Sequence, residues 1–460
     1  MKADVPSSPR ALKRSMRLVG VTLLTLSSIT PATSVFVIVP EVFQQAGTGA
    51  LLSMAAMAVV SLLVAYVYAE LSSAFPIAGG EYSIVGKTIG PAAGFATLTM
   101  TALSNMLQPA VFSLGAAAYI KIVLPGVDAT VVAISIIVIT TILGVLHIRT
   151  NAWITGIFLA LELLALVVLA WLGFSHADRP LSEFAHPVML SGDALRTTPL
   201  AMIGLSSASA IFAYQGYGSA IYFAEEMHEA PRLVARTIML TLVLAVVTEI
   251  IPVTAVLLGA PNMKALLGAD SPFSYFVQTM GGRWLSIFVS LSIAIAIFNA
   301  VLATVMQNGR FFFSTGRDET WHGLINNAFA STHPRFNSPW IATLVSGGTG
   351  IAACFIGMDR LLVLTGTGIV LVYATLCVSA LMGRWQGSSD HAVYRMPLFP
   401  LVPILGLASL CFVLYTSWLD PKNGLPSVAA NAAVIALSLV YYRLFLTRNG
   451  GWVLRGPADM

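Results

Sequence analysis

Five hydroxyl side chains and one proline fall within eight residues of the first long apolar segment, from Ser27 to Ser34. Pro31 has no N–H group and its ring clashes with the preceding helical turn, and it disfavours the helical conformation at Thr30. Backbone groups released at membrane depth need protein, water or a ligand as partner. The stretch therefore predicts an interrupted helix that forms half of a binding site. The binding residues predicted here are Ser28, Ile29, Thr30, Ala32, Thr33 and Ser34.

The sixth apolar segment contains a similar interruption, because Gly216 and Gly218 stand among polar residues near its middle. Each glycine weakens a helix by about 1 kcal/mol relative to alanine. Either interruption taken alone also fits a packing kink, but two at corresponding places favour paired half-helices around a shared site. Such a site offers helix N-termini to an anion and free carbonyls to a cation, which suits a zwitterion. The binding residues predicted here are Phe212, Ala213, Tyr214, Gln215 and Tyr217.

Two acidic residues, Glu162 and Glu249, lie inside apolar segments of membrane-spanning length. A charged carboxylate at the bilayer centre costs at least ~2.5 kcal/mol, and intramembrane acids usually serve function. Both residues are therefore candidates to carry a coupling proton or to hold a substrate amine. The alternative is a neutral, hydrogen-bonded glutamic acid with a structural role.

The remaining candidates have a structural alternative or no chemical pattern. Asn299 is a predicted substrate ligand, although hydrogen bonding between helices explains it equally well. Tyr214 and Tyr217 fit stacking on a substrate, gating or simple packing. The seven histidines and three cysteines show no metal or disulfide spacing, and no phosphate-binding loop or catalytic nucleophile is present. We therefore expect no metal, no cofactor, no enzymatic activity and no nucleic-acid partner.

Composition identifies the class of protein that must position these residues. Of 460 residues, 57% are hydrophobic and only 10% charged, with mean hydropathy +0.84, whereas soluble proteins carry about 25% charged residues. Runs of about 20 apolar residues span a bilayer. Twelve such segments are predicted, at 18–39, 49–69, 91–120, 129–146, 152–174, 198–224, 237–258, 284–308, 339–357, 361–382, 398–418 and 426–442.

The distribution of basic residues predicts the orientation. With both termini in the cytoplasm, 17 of the 24 lysines and arginines fall in cytoplasmic segments, as the positive-inside rule requires. The predicted organisation is a cytoplasmic tail at 1–17, five-helix repeats at 18–175 and 197–384, two peripheral helices at 396–443 and a second cytoplasmic tail at 444–460. The apolar run after the first tail is too long for a signal peptide and is expected to be retained.

Several local patterns resemble one transporter superfamily. They are Glu70-Leu71 followed by Phe75-Pro76-Ile77-Ala78-Gly79-Gly80-Glu81-Tyr82, the sequence Phe212 to Tyr217, and Glu225-Glu226 followed by Pro231-Arg232. Together with Asn299, Arg310 and Arg317-Asp318, they make the chain similar to the amino acid–polyamine–organocation superfamily over nearly its whole length. The resemblance implies an all-α membrane protein with the LeuT-type fold. That fold has a 5+5 inverted repeat, interrupted helices 1 and 6, and two peripheral helices.

The resemblance also implies site chemistry, with departures. The substrate carboxylate of relatives binds N–H groups of the first break, which correspond here to Thr33, Ser34 and their neighbours, although Ala32 replaces a usual glycine. An acidic residue found in some relatives corresponds to Gly218. Many relatives carry a lysine near the place of Glu162, so this chain reverses a charge there. At the predicted cytoplasmic end, Glu225, Glu226 and Arg232 suggest an inner gate with Lys87, Arg310 or Arg317.

The sequence therefore predicts a secondary transporter in the cell (plasma or inner) membrane, surrounded by lipid, as a monomer or homodimer. Its expected substrate is a small amino acid or related amine, moved by alternating access with proton symport or by exchange (antiport). The alternatives are a polyamine or organic-amine transporter, a transceptor that binds without transport, and a channel.

Overall fold

The computed structural model describes residues 16–77, 79–124, 126–146, 151–336, 338–447, 452 and 454, with only the backbone for 151–155. Most of the two predicted tails, 1–17 and 444–460, lies outside the described residues, and so does Ala78 of the glycine motif.

The described chain is almost entirely helical. Its first nine α-helices are α1 (Leu18–Ile29), α2 (Pro31–Thr33), α3 (Val39–Ala46), α4 (Ala50–Ala74), α5 (Glu81–Thr88), α6 (Pro91–Val123), α7 (Ala129–Leu146), α8 (Asn151–Ser175) and α9 (Leu200–Leu205). The other nine are α10 (Ser207–Ala213), α11 (Ala230–Gly259), α12 (Met263–Leu267), α13 (Pro272–Arg317), α14 (Gly323–Phe329), α15 (Trp340–Ala353), α16 (Met358–Trp385), α17 (Leu401–Trp418) and α18 (Gly424–Tyr441). Short 3₁₀-helices occupy Gly47–Gly49, Leu181–Ala185 and Tyr217–Glu226, and π-helices occupy Ser34–Ile38 and Tyr442–Leu446.

Nine stretches within the described residues are long and apolar enough to cross a membrane. Eight of these stretches match one predicted span each. The remaining stretch, Leu18–Ala74, contains the first two predicted spans, which lie on either side of Gly47. The ninth predicted span is the shorter apolar helix Trp340–Ala353. The sixth predicted span is not one helix but the series α9, α10 and Tyr217–Glu226.

Glycine and proline explain several boundaries. Gly47 has a φ of +57°, and a Cβ there would lie 2.1 Å from the carbonyl oxygen of Val188, so only glycine fits this turn. Proline opens α6, α11 and α13 within their first two positions, where its missing N–H is not needed. Inside α13 the backbone leaves the helical conformation at Gly282, just before the predicted eighth span begins.

The helices pack around α13 and α11. Helix α13 contacts α6, α8 and α15, and α11 contacts α4 and α8, while α1 lies against α8, α11 and α13. Large apolar side chains point outward from this bundle, among them Trp171 (65% exposed) and Trp284 (84% exposed). Such surfaces suit contact with lipid.

An ion pair between the buried Glu70 and the partly exposed Arg384 joins α4 to α16. Both carboxylate oxygens of Glu70 accept hydrogen bonds from Arg384, at 2.7 and 2.6 Å, and one also accepts from the N–H of Met396 at 2.7 Å. The guanidinium of Arg384 lies 4.3 Å above the ring of Phe399. This acidic member of the superfamily pattern therefore has a structural partner.

The described chain also contains one element that an all-α prediction omits. Val188–Ser191 and Ala194–Thr197 pair as an antiparallel hairpin, in the long connection predicted to lie outside the cell. Gly192, with a φ of +60°, stands in its two-residue turn.

Candidate functional site

The first predicted interruption is present. Helix α1 ends at Ile29, and Thr30 adopts a left-handed conformation with φ 51° and ψ 74°. The chain then restarts as the single turn α2, opened by Pro31, and continues as the π-helix Ser34–Ile38. A β-branched residue at positive φ is strained, and the hydroxyls of Thr30 and Thr33 hydrogen-bond to each other across this point.

The second interruption is present too. Helix α10 ends at Ala213, Gly216 has a φ of +119°, and the chain continues as the 3₁₀-helix Tyr217–Glu226. A Cβ at Gly216 would lie 3.0 Å from the Cα of Ile29, so the two interruptions are in direct contact. The hydroxyl of Ser34 donates a hydrogen bond to the carbonyl of Ala213 at 2.6 Å, which ties one interruption to the other.

Glu162 reaches the first interruption from α8. Its Oε1 accepts a hydrogen bond from the N–H of Ala32 at 2.8 Å, and the side chain is buried. Its Oε2 has no hydrogen-bond partner among the described residues. The N–H of Ala32, predicted to help receive a substrate carboxylate, thus already holds a carboxylate of the protein itself. The N–H of Ser34 is also occupied, by the carbonyl of Thr30 at 3.1 Å.

Glu249 lies on α11 beside the same interruption and is fully buried. Its carboxylate has the hydroxyl of Ser34 within hydrogen-bonding reach. Ser34, Tyr214 and Glu162 are close enough to interact with it electrostatically. The two predicted acids therefore flank one site, with no lysine or arginine paired to either among the described residues.

The other predicted residues are buried around these two interruptions. Phe212, Ala213, Tyr214 and Tyr217 are each at most 2% exposed. The hydroxyl of Tyr214 and the amide nitrogen of Asn299 lack hydrogen-bond partners within the described residues.

Two more of the polar predicted residues have protein partners. Ser28 donates to the carbonyl of Leu24 on its own helix at 3.0 Å. Gln215 accepts from the amide of Gln108, on α6, at 3.1 Å.

A small cavity, lined by both polar and apolar side chains, lies beside the second interruption, with a volume of about 40 Å³. Of the predicted binding residues only Gln215 lines it. The lining residues that sequence reasoning did not assign to a site include Tyr68, Glu81, Tyr222 and Tyr373. Glu81 lies in the Gly-Gly-Glu-Tyr motif, so the sequence did contain a pattern that could have identified this residue as part of a site.

An ion-pair network lies at the end of the structure predicted to be cytoplasmic. Glu226 pairs with Arg310 at 3.0 Å, and Glu225 pairs with Arg317 at 3.2 Å. Arg317 also lies 3.7 Å from Asp318, which accepts a hydrogen bond from the hydroxyl of Tyr82 at 2.9 Å. Two of the expected partners of the inner gate are thus found.

The other two residues expected in the inner gate take no part in this ion-pair network. Neither Lys87 nor Arg232 forms an ion pair with a described residue. The network therefore joins Tyr217–Glu226 to the end of α13 and, through Tyr82, to α5.

Comparison with known proteins identifies relatives over almost the full length. A family model described as amino acid permease matches residues 16–442. An uncharacterized transporter of Mycobacterium tuberculosis is 28% identical over 452 residues, covering 97% of this chain and 95% of that protein. A branched-chain amino acid permease of Bacillus subtilis is 23% identical, covering 96% and 95% of the two chains. A methylthioribose transporter of the same organism is 25% identical, covering 90% and 91%.

Proposed function

The chain belongs to the amino acid permease family, and from this premise we propose that it moves a small α-amino acid or related amine by alternating access. It is a multi-pass membrane protein of a family of transporters rather than enzymes. One observation carries the proposal, namely the direct contact between two interrupted helices through Ser34 and Ala213. Separating and rejoining these interruptions would open and close a shared site.

The substrate's two charges have complementary partners in this arrangement. Its ammonium group faces the backbone of the second interruption between Phe212 and Tyr214, where Ser34 holds the carbonyl of Ala213 in this structure, and the carbonyl of Ile29. Its carboxylate binds N–H groups of the first interruption between Thr30 and Ser34, where a helix N-terminus favours an anion. The match of a branched-chain permease along nearly the whole chain supports this class of substrate.

Glu162 couples the substrate to a proton in this proposal. While ionised, it holds the N–H of Ala32 as a tethered stand-in for the substrate carboxylate. A protonated carboxyl group is a weaker acceptor, because hydrogen bonds to charged groups are about twice as strong as neutral ones. A proton on Glu162 thus releases Ala32 for the substrate, and proton and substrate bind together. Glu249, which is fully buried and pairs with no lysine or arginine among the described residues, is the second proton acceptor.

The twelve-span, LeuT-type organisation belongs to this proposal. Counting Leu18–Ala74 as two spans and adding the interrupted series α9–Glu226 and the helix Trp340–Ala353 to the other long stretches gives twelve. The interruptions then fall in the first and sixth spans. That placement is typical of an inverted five-helix repeat with both termini on one side of a cell membrane.

Uptake into proteoliposomes tests the proposal. We expect a labelled branched-chain amino acid to accumulate when the outside is made acidic, and not when a sodium gradient is imposed at constant pH. Stimulation by sodium without any response to the pH gradient would overturn proton coupling. Counterflow with no net uptake would indicate exchange, and binding without counterflow would indicate a transceptor.

A second candidate substrate is an organic amine without a carboxylate. The hydrogen bond between Glu162 and Ala32 favours it, because the protein then supplies the carboxylate that such a substrate lacks. Uptake by the Glu162→Gln variant decides between the two. Loss of a cationic substrate with retained amino acid uptake supports the amine, and the opposite pattern supports the amino acid.

A further inference from the structure

The cavity beside Gly216 has the chemistry of a cation site. Glu81 is 8% exposed and forms no ion pair with a lysine or arginine in the described ranges. Its Oε2 accepts a hydrogen bond from the hydroxyl of Tyr222 at 2.6 Å. Burial raises the pKa of Glu81, since the charged form is poorly solvated, and a bound cation would offset that cost.

The other walls of the cavity also suit a positive charge. Aromatic rings of Tyr68, Tyr222 and Tyr373 line it, and aromatic faces attract ammonium groups. The buried hydroxyls of Thr101 and Ser219 line it as well and have no hydrogen-bond partner in the described part of the chain. Each hydroxyl oxygen can accept a hydrogen bond from an ammonium N–H.

The volume of the cavity limits which ligands it can hold. A buried water needs about 10–15 Å³ of this kind of volume, so a cavity of about 40 Å³ holds about three or four water-sized groups. A whole amino acid does not fit, whereas an ammonium group with its attached carbon does. The cavity also borders Gln215 and Gly216 of the second interruption, next to the proposed substrate site.

We propose that this cavity is a second ammonium site, which holds the charged head of the substrate on the predicted cytoplasmic side of the second interruption. The inference rests on the proposed function, because it places the site on the exit route of the transported molecule. Glu81 supplies the negative charge, and the three tyrosines supply the ring faces.

Thermal stabilisation by methylammonium chloride tests the site in the purified full-length protein. We expect a saturable rise in melting temperature for the wild type, and none with equal concentrations of choline chloride, whose head group is too large. Glu81→Gln should raise the apparent Kd for methylammonium at least tenfold. Glu183→Gln, which removes a half-exposed carboxylate from the 3₁₀-helix Leu181–Ala185, is the control and should keep the wild-type value.

A second variant keeps the test valid if Glu81→Gln does not fold. Tyr373→Leu removes one ring face, leaves the carboxylate in place, and should raise the same Kd severalfold. Equal stabilisation of the wild type and both variants by methylammonium would overturn the inference. If the wild type takes up no amino acid or amine at all, the proposed function fails instead, whatever methylammonium does.

Efflux separates a substrate head group from a free inorganic cation. For a substrate ammonium, Glu81→Gln should raise the internal amino acid concentration that half-saturates efflux at least tenfold, and potassium should not compete with methylammonium. Unchanged efflux together with competition by potassium would mean a site for an inorganic cation and would overturn the proposal.

Discussion

Glu226→Gln should open the predicted inner gate. In the wild type, Glu226 and Arg310 form a hydrogen-bonded pair at 3.0 Å, with side chains only 11% and 7% exposed. Removing one member of a buried pair costs about 3–5 kcal/mol, because the remaining charge stays buried without its partner. If the pair exists only in the closed gate, the closed state loses that energy relative to the open one.

The lower end of this range applies here, because Arg310 keeps two other contacts. Its Nη1 donates to the carbonyl of Met306 at 3.4 Å, and its guanidinium lies 5.1 Å from the ring centroid of Phe223. About 3 kcal/mol corresponds to roughly a hundredfold change in the equilibrium between closed and open gates.

Cysteine labelling from the cytoplasmic side measures this shift. Ser219 is 3% exposed, on the same 3₁₀-helix as Glu226, and a cysteine in its place reports opening. In a background without the native cysteines, we expect Glu226→Gln to speed labelling by a water-soluble thiol reagent about a hundredfold. Exchanging the two charges, with Glu226→Arg and Arg310→Glu, should restore slow labelling, and Glu229→Gln, an exposed neighbour, should change nothing. Unchanged labelling with a lowered melting temperature would refute the gate and leave the pair a purely structural role.

Three further substitutions distinguish residues of the substrate site from residues that only stabilise the fold. Gly216→Ala places a Cβ 3.0 Å from the Cα of Ile29 at a φ of +119°, so uptake should fall at least tenfold with normal membrane insertion; wild-type uptake would contradict the close contact. Ser34→Ala leaves the buried carbonyl of Ala213 without this donor, so the variant should lose about 1–3 kcal/mol of stability, seen as a lower melting temperature together with weaker substrate affinity. Glu70→Gln breaks the ion pair with Arg384 and should lower the melting temperature while leaving the substrate Kd within twofold of the wild type; a selective loss of affinity would argue against its structural role.

Local chemistry made the two interruptions predictable. Pro31 lacks an N–H and Gly216 tolerates positive φ, so each marks its own break without reference to any distant residue. The apolar runs predicted most of the long helices for the same reason. The hairpin Val188–Thr197 was not predicted, because its strands are short and lie in a polar connection.

The contacts that define the site could not be read from the chain. Glu162 meets Ala32 across 130 residues, and Ser34 meets Ala213 across 179. The sequence identified Glu162 as unusual because of its charge in an apolar segment. It did not indicate which N–H group the carboxylate would bind. The cavity near Glu81 depends on side chains from α4, α5, α6, the second interruption and α16, whose meeting is a result of helix packing.

The central claim is that the substrate lies between the two interruptions, and protection of a cysteine at Ser28 tests it most directly. Ser28 is 4% exposed beside the first interruption, and its hydroxyl bonds only within its own helix among the described residues, so Ser28→Cys disturbs little. We predict that a transported amino acid slows modification of this cysteine at least tenfold, whereas a cysteine at Ser182 in the outer loop is modified at the same rate with or without substrate. Uptake that persists while Ser28→Cys is modified at an unchanged rate in saturating substrate would contradict the account.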